Sequence, residues 1–122
     1  MSGMLTIERQ RKLFWSPSSA VFDLTVERMG ELMKDARPDI ANEFLGSTWE
    51  ASGIPYLNIE EYPLEDKEYV LTILIQFRHQ LAEEGRTTPE PLMDYDAIDR
   101  RLADFEDNLR KAIEHQCAYA TR

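Results

Sequence analysis

Two histidines, one cysteine and 23 carboxylates are the side chains through which this 122-residue chain could do acid–base, nucleophilic or metal chemistry. Their spacing argues against each of these. His79 has Glu83 four residues on, which in a helix makes a same-face surface pair rather than a base and its orienter. His115 and Cys117 are two apart and would diverge on a helix, so they cannot hold one metal ion. A di-iron bundle needs a glutamate three residues before its histidine, and Gln76 and Ala112 stand at those positions. No His-Glu-x-x-His or Cys-x-x-Cys pattern occurs, and the five glycines form no phosphate loop. Asp94, Asp96 and Asp99 lack the glycine and closing glutamate of a calcium loop and read as an acidic helix start. Paired acids such as Glu60 with Glu61, or Asp94 with Asp96, would need a pocket to become hydrolytic. We therefore expect no catalytic, cofactor-binding or metal-binding residue.

The most suggestive stretch is YLNIEEYPLEDKE, residues 56–68. It sets Tyr56, Tyr62 and the following Tyr69 among Glu60, Glu61, Glu65, Asp66 and Glu68, with Pro55 and Pro63 stiffening the backbone. Tyrosine offers rigid, amphipathic contact area, and the acids steer cationic partners toward it. A tyrosine–proline step among acids just before a helix resembles the recognition segment of the colicin-nuclease immunity proteins, over about a dozen residues. That resemblance implies an acidic inhibitor that covers a basic enzyme. The opposing expectation is that these tyrosines are half-buried and cover the helix beneath them.

Charge fits the first reading and equally fits solubility alone, which an acidic surface also serves. The formal net charge is −9, and it is unevenly placed: residues 1–37 sum to +1 and residues 38–122 to −10. From Asp39 to Glu68 there are eight acids and one base, Lys67. Such a field repels phosphate backbones, so direct nucleic-acid binding is not expected, and it speeds encounter with basic proteins. The lone Cys117 allows no intrachain disulfide, which suits a reducing compartment. Charged residues 8, 9, 11 and 12 interrupt any signal-like apolar run. The run from Tyr69 to Ile75 is far short of the roughly 20 residues of a membrane span. A cytoplasmic protein is expected.

Periodicity supplies the elements that must carry this segment. Residues 4–15 fit a short helix or a strand beginning at Met4–Ile7. Ser16 and Pro17 read as the N-cap and first residue of a helix whose stripe is Phe22, Val26, Met29 and Met33, weakened at Gly30 and ended by Pro38. A second helix opens at Pro38-Asp39 and carries Ile40, Ala41, Phe44, Leu45 and Trp49 to a C-cap at Gly53. Residues 54–63 look extended. Residues 64–84 read as a helix capped by Gly85, although Val70, Ile73, Ile75 and Phe77 are strand-favouring types. Arg86 to Met93, with Pro89 and Pro91, reads as a loop. Asp94 then opens a long helix with the stripe Tyr95, Ile98, Leu102, Phe105, Leu109 and Ala112, with Arg110 and Lys111 placed to favour the helix dipole.

The expected fold is all-α or mainly α: one domain over residues 1–122, a bundle of four to five helices with a short extended segment near 54–62. The expected function is binding of a basic protein partner, such as a toxin, by an immunity- or antitoxin-type inhibitor. Its contact residues would be Tyr56, Glu60, Glu61, Tyr62, Glu65, Asp66 and Glu68, joined by Asp94, Asp96 and Asp99. A scaffold that self-associates through the 95–113 stripe and a small carboxylate enzyme are the alternatives, and the chain would be a monomer or homodimer.

Overall fold

The computed structural model describes residues 3–89 and 93–120. Most of these are helical, but of the two readings of residues 4–15 the strand beginning at Met4 holds, and it opens a hairpin. β1 (Met4–Glu8) and β2 (Leu13–Trp15) pair antiparallel, with Leu5 opposite Trp15 and Thr6 opposite Phe14. A register shift between Thr6 and Glu8 absorbs an extra residue, and the turn closes with Lys12 N–H on Arg9 C=O at 3.1 Å. Lys12 takes the left-handed conformation, φ 58°, which lysine rarely adopts. β3 (Tyr56–Asn58) adds parallel to β1, aligning Met4 with Tyr56 and Leu5 with Leu57, to give the sheet order β2-β1-β3. Of the expected all-α or mainly α fold the mainly α form holds, with β3 inside the extended segment expected near 54–62 and a small mixed sheet that was not expected.

One face of the sheet is buried: Leu5, Ile7, Trp15, Leu57 and Ile59 belong to the core. Trp15 is its pivot. Its ring stacks on Phe105 at 4.9 Å and lies near Phe22 at 6.4 Å, while its indole N–H donates to the Arg101 carbonyl at 2.7 Å. A buried indole with its donor satisfied packs as a hydrophobe at no polar cost.

α1 (Ser19–Met33) buries the expected stripe of Phe22, Val26, Met29 and Met33. Its cap is Ser18 and not Ser16, because Gly3 N–H bonds Pro17 C=O at 2.9 Å and holds the chain extended two residues longer. The helix also stops at Met33, ahead of Pro38, which instead opens α2 (Pro38–Leu45). Gly30 has a packing reason: a Cβ there would lie 2.7 Å from Leu45 Cγ, so α1 and α2 approach closely only without one.

The single helix expected from Pro38 to Gly53 is two. Ser47 turns its amide and hydroxyl onto Phe44 C=O, and Thr48 caps a new short helix, α3 (Trp49–Ser52), which Gly53 ends at φ 75°. Trp49 is consequently not a core residue.

α4 (Leu64–Thr87) is a helix throughout, with Val70, Ile73, Leu74, Phe77 and Leu81 buried. It continues past Gly85, where the Tyr95 ring packs against the bare backbone. Thr87 and Thr88 end it by donating their hydroxyls to the Glu83 and Glu84 carbonyls. Pro91 and the centre of the expected 86–93 loop lie outside the described residues. α5 (Tyr95–Ala120) starts on Asp94, whose side chain accepts the Ala97 N–H at 3.0 Å. Since α5 runs to Ala120, Arg110 and Lys111 sit mid-helix, and no basic residue occupies its last turn. No helix among the described residues is long and apolar enough to cross a membrane.

Candidate protein-interaction face

The segment that draws attention in the sequence becomes the β3 strand, a turn and the first turn of α4, and the physics of each step fixes its side chains. Gly53 and Pro55 bring the chain out of α3 and into β3. Alternation along the strand then buries Leu57 and turns Tyr56 outward. After β3, Asn58 Oδ1 accepts the Glu60 N–H at 2.9 Å, a local turn that aims the Glu60 carboxylate at the β1–β2 turn. There it accepts the Arg9 N–H at 2.7 Å. Pro63 starts α4, so Glu65 and Asp66 fall in its first turn, where the dipole favours anions.

Among the described residues four large apolar side chains stand exposed, one on β1 where it pairs with β3 and three in the stretch that runs from α3 into β3. Met4 is 41% exposed, Trp49 46%, Ile54 67% and Tyr56 42%. Met4 is the strand-paired neighbour of Tyr56 and therefore shares its face of the sheet. Trp49 is anchored by its amide on the Asp23 carboxylate of α1, which fixes α3 beside the β3 approach. Single exposed hydrophobes are ordinary; a concentration of them is the mark of a contact surface.

The acids divide into those that are free to meet a partner and those already engaged. Glu61, Glu65 and Glu68 are exposed, as is Glu50 beside Trp49. Asp66 is bound by Arg37 Nη1 at 2.7 Å, and the same guanidinium holds Asp39. Tyr62 is half-buried and donates its hydroxyl to Glu43. Its pKa is pushed up, first by burial and then by the Glu43 carboxylate. The expectation that the tyrosines cover the helix beneath therefore holds for Tyr62, while Tyr56 stays open.

Asp94, Asp96 and Asp99 are not brought to this face. They lie where α5 begins, beside Gly85 at the far end of α4, about 30 Å from Glu65 at 1.5 Å of helix rise per residue. Asp94 caps α5, Asp96 is exposed, and Asp99 is held by Arg78.

A cleft of about 460 Å³ next to the acidic turn was not foreseen. Glu8, Glu60, Glu61, Tyr62, Lys67 and His115 line it, among others. Lys67 is only 6% exposed and donates to Gln116 Oε1 at 2.9 Å. Burial depresses its pKa, opposed by the charges of Glu8, Glu60 and Glu61. His115 Nδ1 lies 3.5 Å from Glu8 Oε2. Thus the only base of the acidic stretch is turned inward, and the outward charge of residues 49–68 is wholly negative. No cluster of three or more metal-ligating side chains occurs among the described residues. His79 lines a groove with Arg78 and Asp99, and Cys117 is exposed.

No protein-family model matches this chain, and neither a curated protein nor a solved structure matches it.

Proposed function

We propose that this chain is an acidic protein-binding domain of the inhibitor type, an immunity- or antitoxin-like protein that covers a basic surface on its partner. The observation that carries the reading is that the exposed apolar side chains and the unpaired acids fall in one stretch of chain, residues 49–68, with Met4 joined to it by strand pairing. Met4, Trp49, Ile54 and Tyr56 supply a desolvating centre, and Glu50, Glu61, Glu65 and Glu68 supply a negative surround. An apolar centre within a charged rim is how interfaces divide affinity from steering. The self-association alternative is weakened, because Ile98, Leu102, Phe105, Leu109 and Ala112 are spent inside the core.

The test is affinity capture from the native source with the full chain, followed by titration of the purified partner. A basic partner bound one to one is expected, with affinity falling at least about tenfold as salt is raised from 50 to 300 mM. Combined Glu61→Lys, Glu65→Lys and Glu68→Lys substitution should weaken it by at least as much. A partner held equally well by the reversed variant would remove the proposal.

A further inference from the structure

In the order β2-β1-β3 both β2 and β3 are edges. The β2 edge packs against α5, where Phe14 C=O accepts from Asn108 Nδ2 at 2.9 Å. No hydrogen bond among the described residues takes up the outward main-chain groups of β3. Met4 N–H bonds Pro55 C=O at 3.0 Å, and Ile59 N–H bonds Thr6 C=O at 3.0 Å. Alternate residues of a strand direct their main-chain groups to the same edge. Pro55, Leu57 and Ile59 therefore face β1, while Tyr56 and Asn58 turn their N–H and C=O groups outward. An unpaired edge is a template for another strand, and natural edges are commonly blunted by lysine, proline or a bulge. Within β3 none of these is present, and its length of three residues is what limits the edge. Ile54 and Tyr56 flank the edge with exposed apolar surface instead.

Resting on the reading of this face as a binding site for a basic protein, we infer that the partner is engaged by β-augmentation. An extended, lysine- or arginine-bearing segment adds to β3 as a fourth strand, bonding the main-chain groups of Tyr56 and Asn58. Main-chain bonds give such docking its affinity, and alternate side chains give its specificity. The occupant's chemistry follows from the charge: exposed Glu50, Glu61 and Glu65 lie in the segments that precede and follow β3 in the chain, and Lys67, the base nearest in sequence, is buried. A second copy of this chain would set acid against acid across the same edge, so a cationic strand is the complementary occupant.

The experiment uses the full ¹⁵N-labelled chain titrated with an alternating lysine–valine decapeptide and, as comparator, a glutamate–valine decapeptide. Expected are shifts centred on the Tyr56 and Asn58 amides, at least tenfold slower hydrogen exchange at both, and no binding of the acidic peptide. Asn58→Ala is a control that loses only the Asn58 Oδ1 bond to the Glu60 N–H and should bind as the unmodified chain does. Asn58→Pro removes in addition an outward N–H without touching the β1 ladder, a position where an edge strand tolerates proline. It should weaken the basic peptide at least tenfold while a thermal melt confirms folding. Equal affinity for Asn58→Pro, without protection of the two amides but with loss on Glu61→Lys/Glu65→Lys/Glu68→Lys, overturns the strand mode and leaves the acidic binding face standing. Absence of basic-peptide binding, or binding indifferent to the charge reversal, removes both. A concentration-dependent dimer broken by Asn58→Pro would give the edge to a second copy and overturn the inference.

Discussion

Arg78 of α4 meets Asp99 of α5 edge-on, Nε to Oδ1 at 2.8 Å and Nη2 to Oδ2 at 3.0 Å. Its remaining Nη1 donates to Glu106 Oε1 at 2.9 Å. One guanidinium thus fixes the pairing of the two longest helices at a single register, using the fork geometry that lysine lacks.

Arg78→Met should therefore destabilise the fold, by about 1 kcal/mol, since Asp99 is half-exposed and solvent screens part of the pairing. The loss is pH-dependent with a definite sign. The Arg78 hydrogen bond holds Asp99 below its ordinary 3.8. Burial pushes Glu106 up, but Arg110 and Arg78 together hold it below 4.5. Groups with depressed native pKa values contribute stability that is fully present above their unfolded values and lost as the pH falls through the native ones. Urea melts should show the variant's deficit at pH 6 and above, narrowing as the pH drops below 3.8. A deficit constant across that range would mean that Arg78 acts through packing alone.

The approach of α1 to α2 gives a second prediction, at Gly30. Alanine at a helix interior ordinarily gains about 1 kcal/mol over glycine. Here its Cβ would meet Leu45 Cγ at 2.7 Å and Cδ2 at 2.8 Å, and overpacking costs about 1–3 kcal/mol. Gly30→Ala should lower stability by about 1 kcal/mol. In a Leu45→Ala background the clash is gone, so the same substitution should become stabilising. That reversal of sign, read from a double-mutant cycle, isolates the contact from helix propensity.

These residues also mark what a sequence can and cannot disclose. The α5 stripe is legible because Ile98, Leu102, Phe105 and Leu109 recur on one helical face, and all four are buried. Residues 64–84 read correctly as helix because length and an acidic first turn outweigh the strand-favouring Val70 and Ile73. The strand at Met4–Ile7 is legible as one of two readings, but the hairpin it opens is not, and for a physical reason. Its turn runs through Arg9-Gln10-Arg11-Lys12 and places Lys12 at positive φ, where an asparagine or glycine would have announced it. The candidate face divides the same way. Tyr56, Glu61, Glu65 and Glu68 are contiguous and could be picked from composition. Met4 joins them only through strand pairing, and Trp49 is excluded from the core only because Thr48 restarts the helix. The meeting of Lys67 with Glu8 and His115 depends on tertiary structure and leaves no local trace.

Lys67 provides the last prediction, because its sequence neighbourhood and its surroundings pull in opposite directions. Among so many acids a lysine is expected to be raised, yet burial of the ammonium outweighs Glu8, Glu60 and Glu61 and lowers it. The fold therefore holds this ammonium less readily than water does. A lysine lowered in the native state makes the unfolded chain the better proton binder between its native value and the ordinary 10.5. Stability must then rise with pH through that window, opposite to the behaviour of a lysine gaining a partner. Lys67→Met keeps the length of the side chain, removes the charge and leaves Gln116, which is partly solvent-exposed, to water. It should stabilise the protein at pH 7 by about 1 kcal/mol, as replacement of buried charge by an apolar isostere often does. The rise in stability just below pH 10.5 should vanish with it. Chemical denaturation of both proteins from pH 7 to 10.5 reads both effects. Destabilisation by Lys67→Met at pH 7 would mean that the lysine's attraction to Glu8, Glu60 and Glu61 prevails over its burial.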